Sequence, residues 1–150
     1  MKKSIVFVVG VVLISIMIIG CSTNSSKTYT FTVDNGDKIK ITLDTSDDYD
    51  ISSDLPFSIS CNEEILSRGS FIFGEAYEQY VSVVETDEKA ELLDCGTKGG
   101  NEYIFWCYND SEYNYAILVN NSNTGIIIGN LVSEESAKEC FDRLDITVEN

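Results

Sequence analysis

Two stretches, Asn101 to Tyr108 and Tyr113 to Asn120, are apolar on both of the faces a strand would present. With a four-residue loop at Asn109–Glu112, Tyr108 opposes Tyr113, Trp106 opposes Tyr115 and Ile104 opposes Ile117. That register gathers one set of large side chains on one face. The other face still carries Tyr103, Phe105, Cys107, Ala116 and Leu118. A strand apolar on both faces belongs in the middle of a sheet, covered from both sides. Ile126–Ile128, after the turn at Asn121–Gly125, reads as a third strand of the same kind. A fold that accepts this meander must provide cover above and below it.

The flanking sequence reads as further strands and two helices. Thr28–Val33 and Lys38–Leu43 alternate with period two, with Tyr29, Phe31 and Val33 on one face and Ile39, Ile41 and Leu43 on the matching one. These are half-buried strands. A two-residue Asn35-Gly36 loop would set Phe31 against Lys40 and mix core with solvent. An odd-numbered loop with Phe31 opposite Ile41 keeps the faces apart. Asp54–Ser60 contains the only proline and reads as an edge strand or extended segment. Asn62–Arg68 reads as a single helical turn, and Ser70–Phe73 as a short strand. After Gly74 the period changes: Tyr77, Tyr80, Val81 and Val84 share one helical face. Leu92 and Leu93 lead into a loop at Gly96–Gly100. Ser133 caps a closing helix whose stripe is Ala137, Cys140, Phe141 and Leu144, with Val132 and Ala137 placed for a hydrophobic staple. Ile146–Val148 adds an extended end.

The N-terminus is organised differently. Met1-Lys2-Lys3 precedes an apolar run from Ile5 to Ile19, interrupted only by Gly10 and Ser15. The run is short for a membrane span and suits an export signal. It ends in Ile18-Ile19-Gly20-Cys21. This junction resembles the bacterial lipoprotein signal, whose lipobox sets small or aliphatic residues before a cysteine. The resemblance implies that Cys21 is diacylglycerylated and becomes the first mature residue, anchoring the protein to the lipid bilayer outside the cytoplasm. Ile18 and Ile19 stand where Leu and a smaller residue are commoner. The chain then divides into a signal peptide (1–20), a lipidated Cys with a polar tether (21–27) and a single globular domain (28–150).

Without Lys2 and Lys3 the remainder carries eight basic against 25 acidic residues, a net charge of −17. That balance excludes nucleic acid as a partner, which needs a basic footprint. There is no histidine, which excludes Ser-His and Cys-His nucleophile pairs and His-ligated zinc. The acidic stretch Asp44–Asp50 lacks the Gly and Glu of an EF-hand loop and reads as a solvated turn. Cys61, Cys95, Cys107 and Cys140 form no C-x-x-C pair and read as structural, with Cys107 and Cys140 buried. An even count outside the cytoplasm permits disulfides as well as free core thiols.

A helix after Gly74, a meander at Tyr103–Gly129 and a closing helix at Ser133–Leu144 together resemble the Mog1/PsbP-like fold. The resemblance implies an α+β class: an antiparallel sheet with helices packed on its faces in an α/β/α sandwich. It also implies an accessory or binding role by analogy. The expected function is a membrane-anchored, non-catalytic binding or accessory module that acts on an envelope protein or polymer, without a cofactor or metal. The candidate ligand-binding residues are Trp106, Tyr108 and Tyr113, aromatic strand residues around the loop at 109–112. An anchored hydrolase with a carboxylate pair is the alternative.

Overall fold

The alternation at residues 28–43 does fold as a hairpin. A computed structural model describes residues 25–150; the apolar run, Cys21 and the tether as far as Asn24 lie outside the described residues. Strand β1 (Ser26–Thr32) pairs antiparallel with β2 (Lys38–Asp44), so the strand takes in Ser26 and Lys27 from the expected tether. The loop is odd-numbered, with Val33–Asp37 between the last pair, Thr32 and Lys38. Phe31 nevertheless opposes Ile39, and Tyr29 takes Ile41. This is a shift of two residues from the expected register. A shift of two preserves the face, so Phe31, Ile39, Ile41 and Leu43 are all buried. The turn chemistry selects the observed register: Val33 N donates to Asp37 O at 2.9 Å, Asp37 N donates to Asn35 Oδ1 at 2.9 Å, and Gly36 supplies a φ of +91°.

A 3-10 turn (Ser46–Asp48) leads to β3 (Tyr49–Ile51), β4 (Phe57–Cys61) and β5 (Glu64–Phe73). Asn62 and Glu63 both have positive φ, 49° and 68°, and join β4 to β5 in a two-residue hairpin turn. Where a helical turn is expected at 62–68, the chain makes this hairpin turn and then strand. Helix α1 (Gly74–Thr86) is followed by β6 (Ala90–Lys98), β7 (Asn101–Tyr108), β8 (Glu112–Leu118) and β9 (Thr124–Asn130). Helix α2 (Glu134–Asp142) and β10 (Leu144–Val148) close the chain.

The strands form two antiparallel sheets, one ordered β1-β2-β10 and the other β3-β4-β5-β9-β8-β7-β6. The chain is mostly β, which overturns the expected α+β sandwich of the Mog1/PsbP-like kind. The physical reason is the second sheet. The expected helix layer on one face of the meander is largely replaced by the three-stranded sheet, whose Phe31, Ile39, Ile41, Leu43 and Ile146 share a core with Phe57, Ile59, Phe105, Tyr115, Ile117, Ile126 and Ile128. Helix α2 fills only one end of that layer, where Phe141 stacks on Tyr115 with centroids 4.0 Å apart. The expected loop at Gly96–Gly100 gives up its first three residues to β6, and Glu64–Arg68 of the expected helical turn become part of β5.

Cover from both sides, which the meander requires, is nonetheless present. Helix α1 lies on the other face, with Tyr77 and Val84 buried and Tyr80 and Val81 half-buried against Ile104, Trp106 and Ala116. Ser133 Oγ accepts from Ser136 N at 3.0 Å, capping α2 as expected. Val132 is 54% exposed, so the staple with Ala137 does not form.

The β7–β8 register differs from expectation by one residue. Tyr108 opposes Glu112 across a three-residue loop in which Asn109 and Asp110 have φ of 54° and 60°. A one-residue slip moves every side chain of a strand to the other face. Tyr113, Tyr115 and Ile117 thus share the inter-sheet face with Tyr103 and Phe105.

Candidate binding surface

That slip decides the fate of the aromatic platform. Trp106 is 5% exposed and packs beneath α1, with its ring centroid 5.7 Å from that of Tyr80. Tyr108 is half-buried on the same side, packed against the α1 cluster. Tyr113 opposes Cys107 and packs against the inter-sheet core. The structure places Trp106 and Tyr108 together and Tyr113 on the opposite face, so the three do not form one surface. The cysteines lie as expected for the two core positions: Cys107 and Cys140 are buried, and burial pushes both thiols up, away from thiolate character. All four described cysteines are free, with Cys95 exposed and Cys61 half-buried.

The acidic stretch Asp44–Asp50 is organised around a cation from the protein itself. Arg143, whose side chain is 12% exposed, sends Nη1 to Ser46 O at 2.9 Å and to Ser46 Oγ at 3.1 Å. Its Nη2 reaches Asp47 Oδ2 at 2.9 Å and Glu139 Oε1 at 3.3 Å, and the guanidinium carbon lies 3.9 Å from the Tyr49 ring centroid. The planar fork of an arginine suits this mixture of carbonyl, hydroxyl and carboxylate oxygens. Among the described residues no group of three or more acidic or thiol side chains is arranged to hold a metal ion. Hydrogen bonding from Ser46 holds Asp44 below the usual carboxylate range, and the hydrogen bond from Lys27 does the same for Asp50. Both shifts run opposite to what a general acid requires.

The surface best built for binding lies at the end of the molecule reached by the β1–β2 hairpin. There Asp37 Oδ2 accepts from Thr124 Oγ1 at 2.8 Å, Asn123 N at 2.9 Å and Asn35 Nδ2 at 3.1 Å. Asn35 Nδ2 also lies 3.0 Å from Thr124 Oγ1. Gly74 N, the first amide of α1, donates to Asn123 O at 2.7 Å. One carboxylate thus ties the hairpin of the small sheet to the β8–β9 turn of the large one. Hydrogen bonds to an ionised acceptor are the stronger kind, so Asp37 frames this end of the molecule. Set in the frame is Phe73, the last residue of β5, which is 64% exposed. On one side of it lies a hollow of about 90 Å³ lined by Val33, Asn35, Phe71 and Thr124. On the other lies an open depression of about 760 Å³ lined by Glu75, Leu118, Ser122 and Asn123. A large aromatic ring held out of a hydrogen-bonded frame, with a recess to each side, supplies stacking area flanked by amide and hydroxyl groups.

Sequence reasoning placed Phe73 only as the end of a short strand. The signal available to it was an aromatic residue immediately before a helix-starting glycine, a position where neither the strand nor the helix buries the side chain. No protein-family model matches the chain, and no significant match occurs among curated proteins.

Proposed function

We propose that the protein is an extracytoplasmic lipoprotein, held to the bacterial cell membrane through acylated Cys21, that acts as a non-catalytic binding or accessory module on an envelope protein or polymer. Phe73 is the observation that carries this reading. The described chain enters at Ser25, whose carbonyl accepts from Thr45 N at 2.9 Å. Strand β1 then runs seven residues, about 20 Å at the rise of an extended strand, to the hairpin beside Phe73. The exposed ring therefore stands at the opposite end of β1 from Ser25. An anchor at Cys21 leaves only a few residues before Ser25, which turns the Phe73 end away from the bilayer and toward the rest of the envelope.

The test is a photo-crosslinking residue at position 73 in intact cells, with position 88 as the control, since Glu88 is exposed at the other end of α1. Specific adducts to an envelope protein or wall polymer at 73, absent at 88, are expected. Equal labelling at both positions, or adducts to lipid alone, overturns the reading. The anchor is tested separately: Cys21→Ala should abolish metabolic labelling by fatty acid and release the protein or leave it unprocessed.

A further inference from the structure

A second recess lies at the seam where the end of β6, the start of β7, the last turn of α2 and β10 meet. Its volume is about 200 Å³. The wall is apolar, formed by Ile117, Phe141, Leu144 and Ile146, and the rim carries Lys98 and Asp145. We propose that this recess binds a small zwitterion with an apolar side chain, a free α-amino acid in chemical class.

The rim charges give the first argument. Lys98 Nζ donates to Phe141 O and sits 4.6 Å from the centre of the Phe141 ring. An ammonium has three N–H donors, and among the described residues Lys98 has no carboxylate partner. Burial, in part countered by Asp142 and Asp145, lowers its pKa. Asp145 is exposed and its Oδ1 lies beside Gly99, 3.7 Å from where a Cβ would stand. Lys98 and Asp145 therefore face one recess with opposite signs and do not pair with each other. The turn between Lys98 and Asn101 is shaped by Gly99 and Gly100, with φ of 58° and 86°, and Asp145 sits across from it on β10, paired to β2 opposite Thr42.

The wall gives the second. Asn101 is the other polar residue there, and both ends of its amide are already engaged: Nδ2 donates to Ile146 O at 2.8 Å and Oδ1 accepts from Asn120 N at 2.9 Å. It serves as scaffold and leaves the interior apolar. The recess is open at its mouth and its wall side chains are only 2–7% exposed, so about 200 Å³ seats the edge of a leucine or phenylalanine side chain with its backbone atoms at the mouth. A lone carboxylate would leave Asp145 unanswered, and a lone amine would leave Lys98 unanswered. A zwitterion sets its carboxylate toward Lys98 and its ammonium toward Asp145, matching both.

The experiment uses the full chain in detergent micelles, titrated with L-phenylalanine and followed by calorimetry and by the amide resonances of Gly99 and Gly100. Saturable binding that shifts both amides is expected. Glycine, 3-phenylpropionate and phenethylamine, each lacking one of the three elements, should bind at least about ten-fold more weakly, equivalent to about 1.4 kcal/mol. Lys98→Met and Asp145→Asn should each weaken L-phenylalanine to a similar degree, and Asp145→Asn should leave 3-phenylpropionate no weaker. If Lys98→Met loses its fold by circular dichroism, the exposed Asp145→Asn carries the comparison. No saturable shift at millimolar L-phenylalanine, single-charge analogues binding as well as the zwitterion, or full affinity in Asp145→Asn would each overturn the proposal.

Discussion

Gly69 and Phe57 are directly paired across β5 and β4, and the ring of Phe57 occupies the space a side chain at 69 would need. A Cβ on Gly69 would stand 2.1 Å from Phe57 Cζ and 2.6 Å from each Cε. Ordinary carbon contacts lie at about 3.5–4.0 Å, so the ring must retreat by more than an ångström. It has nowhere to go: Phe57 is fully buried, with Phe31 and Phe71 at centroid distances of 6.0 and 6.3 Å. Gly69→Ala should therefore cost about 2–3 kcal/mol, at the upper part of the overpacking range. Phe57→Ala alone should cost about 3–5 kcal/mol through lost burial and the cavity left behind. In the Phe57→Ala background the clash is gone, and Gly69→Ala keeps only its entropic effect on the unfolded chain, a gain of about 0.4–1 kcal/mol. The sign of one substitution thus reverses with the other, giving a coupling of about 2–4 kcal/mol. Urea unfolding followed by the fluorescence of Trp106, the single tryptophan and a buried one, reads all four proteins. An equal cost for Gly69→Ala in both backgrounds would refute the ring-over-glycine account.

Further outcomes are expected at the ends of the small sheet and of α2. Arg143→Met should lower unfolding free energy by about 2–3 kcal/mol, because it removes charged hydrogen bonds from a nearly buried site and leaves Asp47 and Glu139 without their shared cation; Arg143→Lys should recover little, since one ammonium cannot span those acceptors. Ser133→Ala should cost about 1 kcal/mol by denaturant titration through the lost helix cap. Burial raises the Tyr49 phenol from 10.0 to about 12. That contribution to stability is complete below pH 10 and lost as pH rises toward 12, so Tyr49→Phe should flatten the alkaline limb of a stability–pH curve. The depressed carboxyls of Asp44 and Asp50 act at the other limb: their contribution is present above the ordinary carboxylate range and lost as pH falls through their lowered values. Asp50→Asn should shrink that acid loss slightly, because the Lys27 pair is exposed.

The elements with strong internal periodicity were legible. The β1–β2 alternation, the α1 stripe at Tyr77–Val84 and the capped α2 each carry their evidence within one short window, and each forms about where the pattern places it. Register was less legible, because it depends on turn geometry. Asn109 and Asp110 both accept positive φ, which shortens the loop by one residue and carries Tyr113 away from Trp106. Nothing in the apolar pattern of β7 and β8 opposes that slip, since both faces are apolar; the same property that identified these strands as central left their register free. At the β1–β2 hairpin the polar face is threonine and lysine, so only shifts of two were open, and the error there moved no side chain across the sheet.

Fold class failed for a related reason. Ala90–Lys98 and Glu64–Arg68 lack clean alternation because β6 is an edge strand with a shifted register at Leu92–Asp94 and β4–β5 shifts at Ile59–Ser60. A bulge resets the period of two, so the sequence hides strand where the sheet bends. With those segments unread as strand, and the β1–β2 hairpin not separable by pattern from the main sheet, the two helices stood as the expected cover for the meander. The Phe73 frame could not be read at all from local pattern. Asp37 lies 87 residues from Thr124 and 86 from Asn123, and each of the three is an ordinary turn residue in its own window. What makes Phe73 a candidate is that these distant turns close around it and hold it out. Its exposure is therefore a property of the sheet-to-sheet junction. Asp37→Ala should loosen that junction and weaken any partner bound at Phe73, while the buried core of Phe57, Phe105 and Ile126 stays packed.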